Sequence, residues 1–92
     1  MAIQKELETI RTIKNRVLKA LNNGNVKGHR ILIKTIEDSD SVFSISDVQI
    51  SAEDYFLNIT DTNCNIHLMI SYEDIKEIED RTTLKLLYMK VN

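Results

Sequence analysis

The feature that most constrains this chain is a change of hydrophobic period at Gly24. Before it, Ile3, Leu7, Ile10, Val17 and Leu21 fall on one helical stripe, widened by Ile13 and Leu18. After it, apolar residues alternate at strand spacing. The pattern predicts a single domain over 1–92, with an amphipathic helix over about 2–23 and β structure over about 26–91. Glu6 and Glu8 near the helix start, and Arg11, Lys14, Arg16 and Lys19 in its later turns, complement the helix dipole. Asn22-Asn23-Gly24 supplies the stop, because Asn and Gly tolerate the left-handed conformation that satisfies the last carbonyls. Lys14 interrupts the heptad-like series, so the stripe suits packing onto a sheet better than a coiled coil.

The β region opens with a strand over 29–36, whose Ile31-Leu32-Ile33 run asks for cover on both faces. A polar turn follows at 37–41. Over 42–51 the alternation begins with Phe43 and Ile45 and slips by one residue to Val48 and Ile50, which predicts one long, bent strand with a bulge near Ser46-Asp47. Strands over 55–60 and 66–70 flank a hairpin loop at 61–65. Residues 71–74 read as a tight turn or one helical turn, and Ile75 and Ile78 as a short strand or a helical turn. The last strand, 84–91, carries Leu84 and Leu86 on one face and Leu87, Met89 and Val91 on the other, so both faces need cover from the helix or from another subunit. The expected class is α+β: an N-terminal amphipathic helix followed by a five- to six-stranded, strongly bent antiparallel sheet or small barrel.

Composition excludes several classes. At 42% hydrophobic and 28% charged, with two Gly and no Pro, the chain has the profile of a packed fold and not of a disordered segment. No apolar run approaches the ~20 residues needed to cross a bilayer, and Lys5, Glu6 and Glu8 interrupt what would be the core of a secretory signal. Its one cysteine, Cys64, has no intramolecular disulfide partner. A cytoplasmic protein without a membrane partner is expected. Heavy use of Ile, Asn and Lys points to an AT-rich genome, and with it to a bacterial or mobile-element accessory or inhibitor protein.

No cofactor or metal is expected. His29 and His67 lack the spaced ligands of a zinc site, and Glu37-Asp38-Ser39-Asp40 lacks the spacing, the central Gly and the closing Glu of a calcium loop. Cys64 has no neighbouring base, and the two glycines form no phosphate loop. Catalysis is therefore the least favoured reading.

Charge is unevenly placed. Residues 1–36 carry eight Lys/Arg against two carboxylates, and residues 37–92 carry twelve carboxylates against four Lys/Arg. These are either solvated faces that neutralise each other or a bipolar surface that steers a charged partner. The basic candidates are Arg11, Lys14, Lys19, Lys27, His29, Arg30 and Lys34; the acidic ones are Glu37, Asp38, Asp40, Glu73 and Asp74. The first set suits RNA phosphates, although the few aromatics lie elsewhere in the sequence. The second suits a basic protein partner. Leu87, Met89 and Val91 are the candidates for self-association into a homo-oligomer.

The element order, Asn23-Gly24, Lys27-Gly28 leading into the first strand, the bent second strand and the run Leu68-Met69-Ile70-Ser71-Tyr72-Glu73-Asp74-Ile75-Lys76-Glu77-Ile78 together resemble the Sm-like small barrels, a group that includes a bacterial RNA chaperone. The resemblance implies a five-stranded SH3-like barrel that often forms rings through its edge strands. In the bacterial members a Tyr-Lys-His element before the last strand contacts RNA; here the same place reads Tyr72-Glu73-Asp74, which is acidic, so no RNA-binding residue carries over. The strand after Thr83 is additional. Tyr72-Glu73-Asp74-Ile75 with Ile78, followed by a hairpin, also resembles a bacterial PH-like barrel, which is the competing fold. The reading of function is a non-enzymatic, self-associating protein-interaction module; the alternatives are an Sm-like RNA binder and, last, a small enzyme.

Overall fold

A computed structural model describes residues 2–22, 24–61 and 66–90, with side chains from Thr9 onward apart from Ile66. The Asn23 part of the helix stop, most of the 61–65 loop including Cys64, and Val91 lie outside the described residues, as do the side chains of Ile3 and Leu7.

The helical period is realised as α1, Ala2–Leu21. Its stripe buries Val17, Ala20 and Leu21, with Ile10, Ile13 and Leu18 packed alongside. The last turn ends with the Asn22 N–H donating to the Leu18 carbonyl at 2.8 Å. A short 3-10 turn, Gly24–Val26, buries Val26, and Gly28 takes φ +78°, a left-handed conformation that suits glycine, just before the first strand.

Among the described residues seven strands follow: β1 Arg30–Thr35, β2 Asp40–Ser44, β3 Val48–Ala52, β4 Phe56–Asp61, β5 Ile66–Ser71, β6 Ile75–Asp80 and β7 Lys85–Met89. All pairs are antiparallel. One sheet has the order β2-β1-β6-β7 and the other β3-β4-β5. The expectation of five or six strands in a bent sheet or barrel is thus corrected to seven strands in two sheets without barrel closure. The physical reason lies at Ser46-Asp47, where a 3-10 turn, Ile45–Asp47, takes up the one-residue phase slip in place of a bulge. The Ile45 N–H bonds to the His29 carbonyl at 2.9 Å, which fixes the corner and divides the expected long strand into β2 and β3.

The core fills the space between the sheets and under the helix. Ile31 sits opposite Phe43, and Ile33 opposite Ile78, on the inner face of the first sheet; Leu57 sits opposite Ile70 in the second. Burying each such side chain contributes roughly 1.5–3 kcal/mol. Tyr72 is fully buried at the junction, in the 3-10 turn Tyr72–Asp74 that joins β5 to β6 and lies beneath α1. Its hydroxyl donates to the Glu53 carbonyl at 2.7 Å. The same turn is held from two other sides: the Ile36 N–H donates to the Asp74 carbonyl, and Lys90 Nζ to the Glu73 carbonyl.

The last strand departs from simple alternation. Ile78 pairs with Tyr88 but Glu79 pairs with Leu86, so Leu87 is an extra, bulged residue. Tyr88 therefore turns into the core although it shares parity with Leu84 and Leu86, and Leu87 packs beside it. The cover expected for both faces of this strand is met within the chain only at Tyr88 and Leu87; Leu84, Leu86 and Met89 are exposed.

Candidate functional site

Among the described residues each sheet has two edge strands, β2 and β7 in one and β3 and β5 in the other, and the edges at β7 and β5 differ. At β7 the ladder places the Lys90 N–H on the Lys76 carbonyl, so the backbone of Met89 points away from β6. Arg16 fills that position. Its Nη2 donates to the Met89 carbonyl at 3.1 Å, and its guanidinium lies 4.8 Å from the Tyr88 ring centroid. A bulge and a capping arginine are devices that protect a sheet edge from further pairing.

At β5 no such cap is described. The Tyr72 N–H bonds to the Tyr55 carbonyl and the register pairs Leu57 with Ile70 and Ile59 with Leu68, so the backbone groups of His67, Met69 and Ser71 face away from β4. Among the described residues β5 has β4 as its single strand neighbour. Met69 is 62% exposed, and His67 Nε2 reaches back to Asn58 Oδ1 at 2.9 Å.

Carboxylates converge on this edge. The β1–β2 hairpin turn is tightened by Thr35 Oγ1, which donates to the Ser39 carbonyl and accepts the Ser39 N–H, and by Asp38 at φ 59°. The Ile36–Asp74 backbone bond pins the base of this hairpin to the β5–β6 turn. As a result Glu37 and Asp74, far apart in sequence, line one hollow with Thr35, Ser39, Ser41 and residues 68–71 of β5. Asp38 and Asp40 are exposed on the same hairpin, and Glu73 on the same turn. Among the described residues none of these five acidic candidates takes part in an ion pair.

The basic candidates do not form one face. Lys14 Nζ lies 3.9 Å from Asp54, and Lys34 Nζ lies 3.8 Å from Glu77 on the outer side of the four-stranded sheet. Lys19 shares a groove with Arg16 and Leu87, Lys27 is exposed in the loop before β1, and the Arg30 N–H is engaged by Thr82. Arg11 and Lys14 line a hollow with the exposed Tyr55, a juxtaposition that sequence distance concealed. Of the self-association candidates, Leu87 packs on the core and Met89 is exposed.

No family model, curated protein or solved structure matches the chain. No group of three or more metal-ligating side chains occurs among the described residues, and no helix among them is long and apolar enough to cross a membrane. Among the described residues three ionisable groups are displaced. Burial, then the nearby charges of Glu53 and Asp54, raise the Tyr72 hydroxyl. Burial raises that of Tyr88 against the opposing influence of Arg16. For Asp80 burial pushes upward, but hydrogen bonds from His29, Thr83 and Thr82 outweigh it and leave the carboxyl below its ordinary value. All three support the fold, and none lines the β5 hollow.

The acidic residues were legible from the sequence. The strand edge beside them was not, because which strand lacks a second neighbour is a property of topology.

Proposed function

We propose that the protein acts by binding and not by catalysis, as a small cytoplasmic interaction module whose β5 edge receives an extended, basic segment of a partner protein. The observation that carries this reading is the convergence of Glu37 and Asp74 on a strand edge whose backbone groups have no second strand. Main-chain pairing supplies affinity in strand addition, and side chains beside the edge supply selectivity. Unpaired carboxylates there favour Lys or Arg in the incoming strand and speed its encounter.

The fold reading that goes with it is Sm-like. In it β2 and β3 are the halves of one bent strand, β1, β4, β5 and β6 complete five strands, and β7 is an addition. The N-terminal helix, and β1 lying between β2 and β6, support this reading. The β6–β7 hairpin is the element shared with the PH-like alternative.

A Lys-rich, β-forming peptide titrated into the labelled protein tests the function. Expected are amide shifts centred on His67, Met69 and Ser71, lost in Met69→Pro and weakened at least about tenfold in Glu37→Lys/Asp74→Lys. Absence of binding, or binding indifferent to both variants, removes the proposal. A second reading, RNA binding, is favoured by Arg11 and Lys14 beside the exposed Tyr55. It requires single-stranded RNA affinity that falls steeply with salt and is lost in Tyr55→Ala.

A further inference from the structure

The four-stranded sheet carries opposite charge at its two ends. β1 begins at Arg30, β2 ends at Ser44, β6 ends at Asp80 and β7 begins at Lys85, so antiparallel pairing brings these four termini together. There the β6–β7 turn is tied to the start of β1. The Arg30 N–H donates to Thr82 Oγ1 at 3.0 Å, and the Arg81 N–H to the Arg30 carbonyl at 2.8 Å. Lys27 and Arg30 thus share one exposed rim with Arg81 and Lys85, although sequence distance separates the two pairs. Of the four, Arg81 alone has an ion-pair partner among the described residues, Glu79 at 3.7 Å. Asp80, at the same end, is buried and bonded to His29, Thr82 and Thr83, and Asp47 is exposed at the corner after β2. The opposite end carries Glu37, Asp38, Asp40, Glu73 and Asp74 against Lys76 and Lys90.

Leu84 stands in the turn of the cationic rim. Its side chain is 72% exposed, the most exposed large apolar side chain among the described residues, and its φ of 60° is a conformation in which leucine is strained. Glycine would fit that turn at lower cost and present no apolar surface to water. Backbone strain kept together with an exposed leucine, without burial in return, points to a contact outside the chain.

We propose that this rim docks on an anionic phospholipid surface, with Leu84 entering the headgroup boundary and Lys27, Arg30, Arg81 and Lys85 meeting the lipid charges. A turn with an apolar apex flanked by cations fits such a surface, which offers negative charge above hydrocarbon. Nucleic-acid phosphates would engage the cations but leave Leu84 in water, and 27–30 and 81–85 contain no Phe, Tyr or Trp to stack on a base. The same separation of charge that draws the rim to an anionic leaflet turns Glu37 and Asp74 away from it. Four cations and one leucine give weak, reversible attachment, on the order of 10⁴ M⁻¹, comparable with a single myristoyl chain.

Cosedimentation with vesicles at low ionic strength tests this, with circular dichroism confirming that each variant is folded. Binding is expected to vesicles containing phosphatidylserine and not to pure phosphatidylcholine. Lys27→Gln/Lys85→Gln should weaken it about 25-fold, roughly fivefold for each charge removed. Leu84→Gly, which relieves the strain and keeps every cation, should weaken it at least about tenfold. The chain has no Trp, so Leu84→Trp places a single emitter in the turn. Its fluorescence should shift to the blue on phosphatidylserine vesicles and stay unchanged with duplex DNA. Met69→Pro at the β5 edge should leave vesicle binding intact, which separates this inference from the function proposed above. No binding to phosphatidylserine vesicles, binding indifferent to Leu84→Gly, or an unshifted emission from Leu84→Trp would overturn the proposal.

Discussion

His29 Nδ1 lies 2.7 Å from Asp80 Oδ2, and the other oxygen of that carboxylate accepts the N–H groups of Thr82 and Thr83 at 2.9 and 3.2 Å. Asp80 thereby ties the β6–β7 turn to the chain entering β1. Its carboxyl titrates below the ordinary value because these bonds outweigh burial, so the unfolded chain takes up the proton first as pH falls. The stabilisation is fully present above the unfolded carboxylate pKa of about 3.9 and is lost as pH falls through the folded value. Asp80→Asn should cost about 1–3 kcal/mol near neutrality and flatten the acid limb of stability, as measured by urea unfolding across that range.

Tyr72 and Tyr88 are both buried, but their hydroxyls differ. That of Tyr72 donates to the Glu53 carbonyl, and that of Tyr88 has no partner among the described residues. Tyr72→Phe should therefore cost about 1 kcal/mol, since it also orphans an acceptor, whereas Tyr88→Phe should be neutral or slightly stabilising. Paired thermal melts decide this; equal losses in the two variants would contradict it.

Arg16 joins α1 to the rim of β7 through the Tyr88 ring and the Met89 carbonyl. Arg16→Ala should cost about 1–2 kcal/mol and speed amide exchange at Tyr88 and Lys90, the groups that hold β7 to β6. Unchanged exchange there would show that the arginine does not secure the strand.

Leu84 closes the β6–β7 turn at φ 60° with its side chain 72% exposed, so it bears left-handed strain with little burial in return. Leu84→Gly should gain about 0.5 kcal/mol, the relief of strain exceeding the added chain entropy, and Leu84→Val should lose about 1 kcal/mol because β-branching worsens the clash. The stability order Gly, Leu, Val is the test.

Local spacing was enough to establish a helix with its inward stripe at Ile10, Ile13, Val17 and Leu21, the strands with their alternation, and the acidic hairpin at Glu37 and Asp38. Each depends on neighbours within four residues, and backbone geometry converts that spacing into a face. Even the Ile31-Leu32-Ile33 run announced that both faces of β1 need cover. Tertiary structure decided the rest. The corner at Ile45–Asp47 made two sheets where the alternation alone read as one bent sheet, and the bulge at Leu87 exchanged Tyr88 for Leu86 in the core. Asp74 came beside Glu37, Tyr55 beside Arg11, and Glu77 beside Lys34 because antiparallel pairing brings together residues that no local period relates. Pairing partners are chosen by burial of the whole core, so strand edges and the surfaces beside them appear only once the chain is folded.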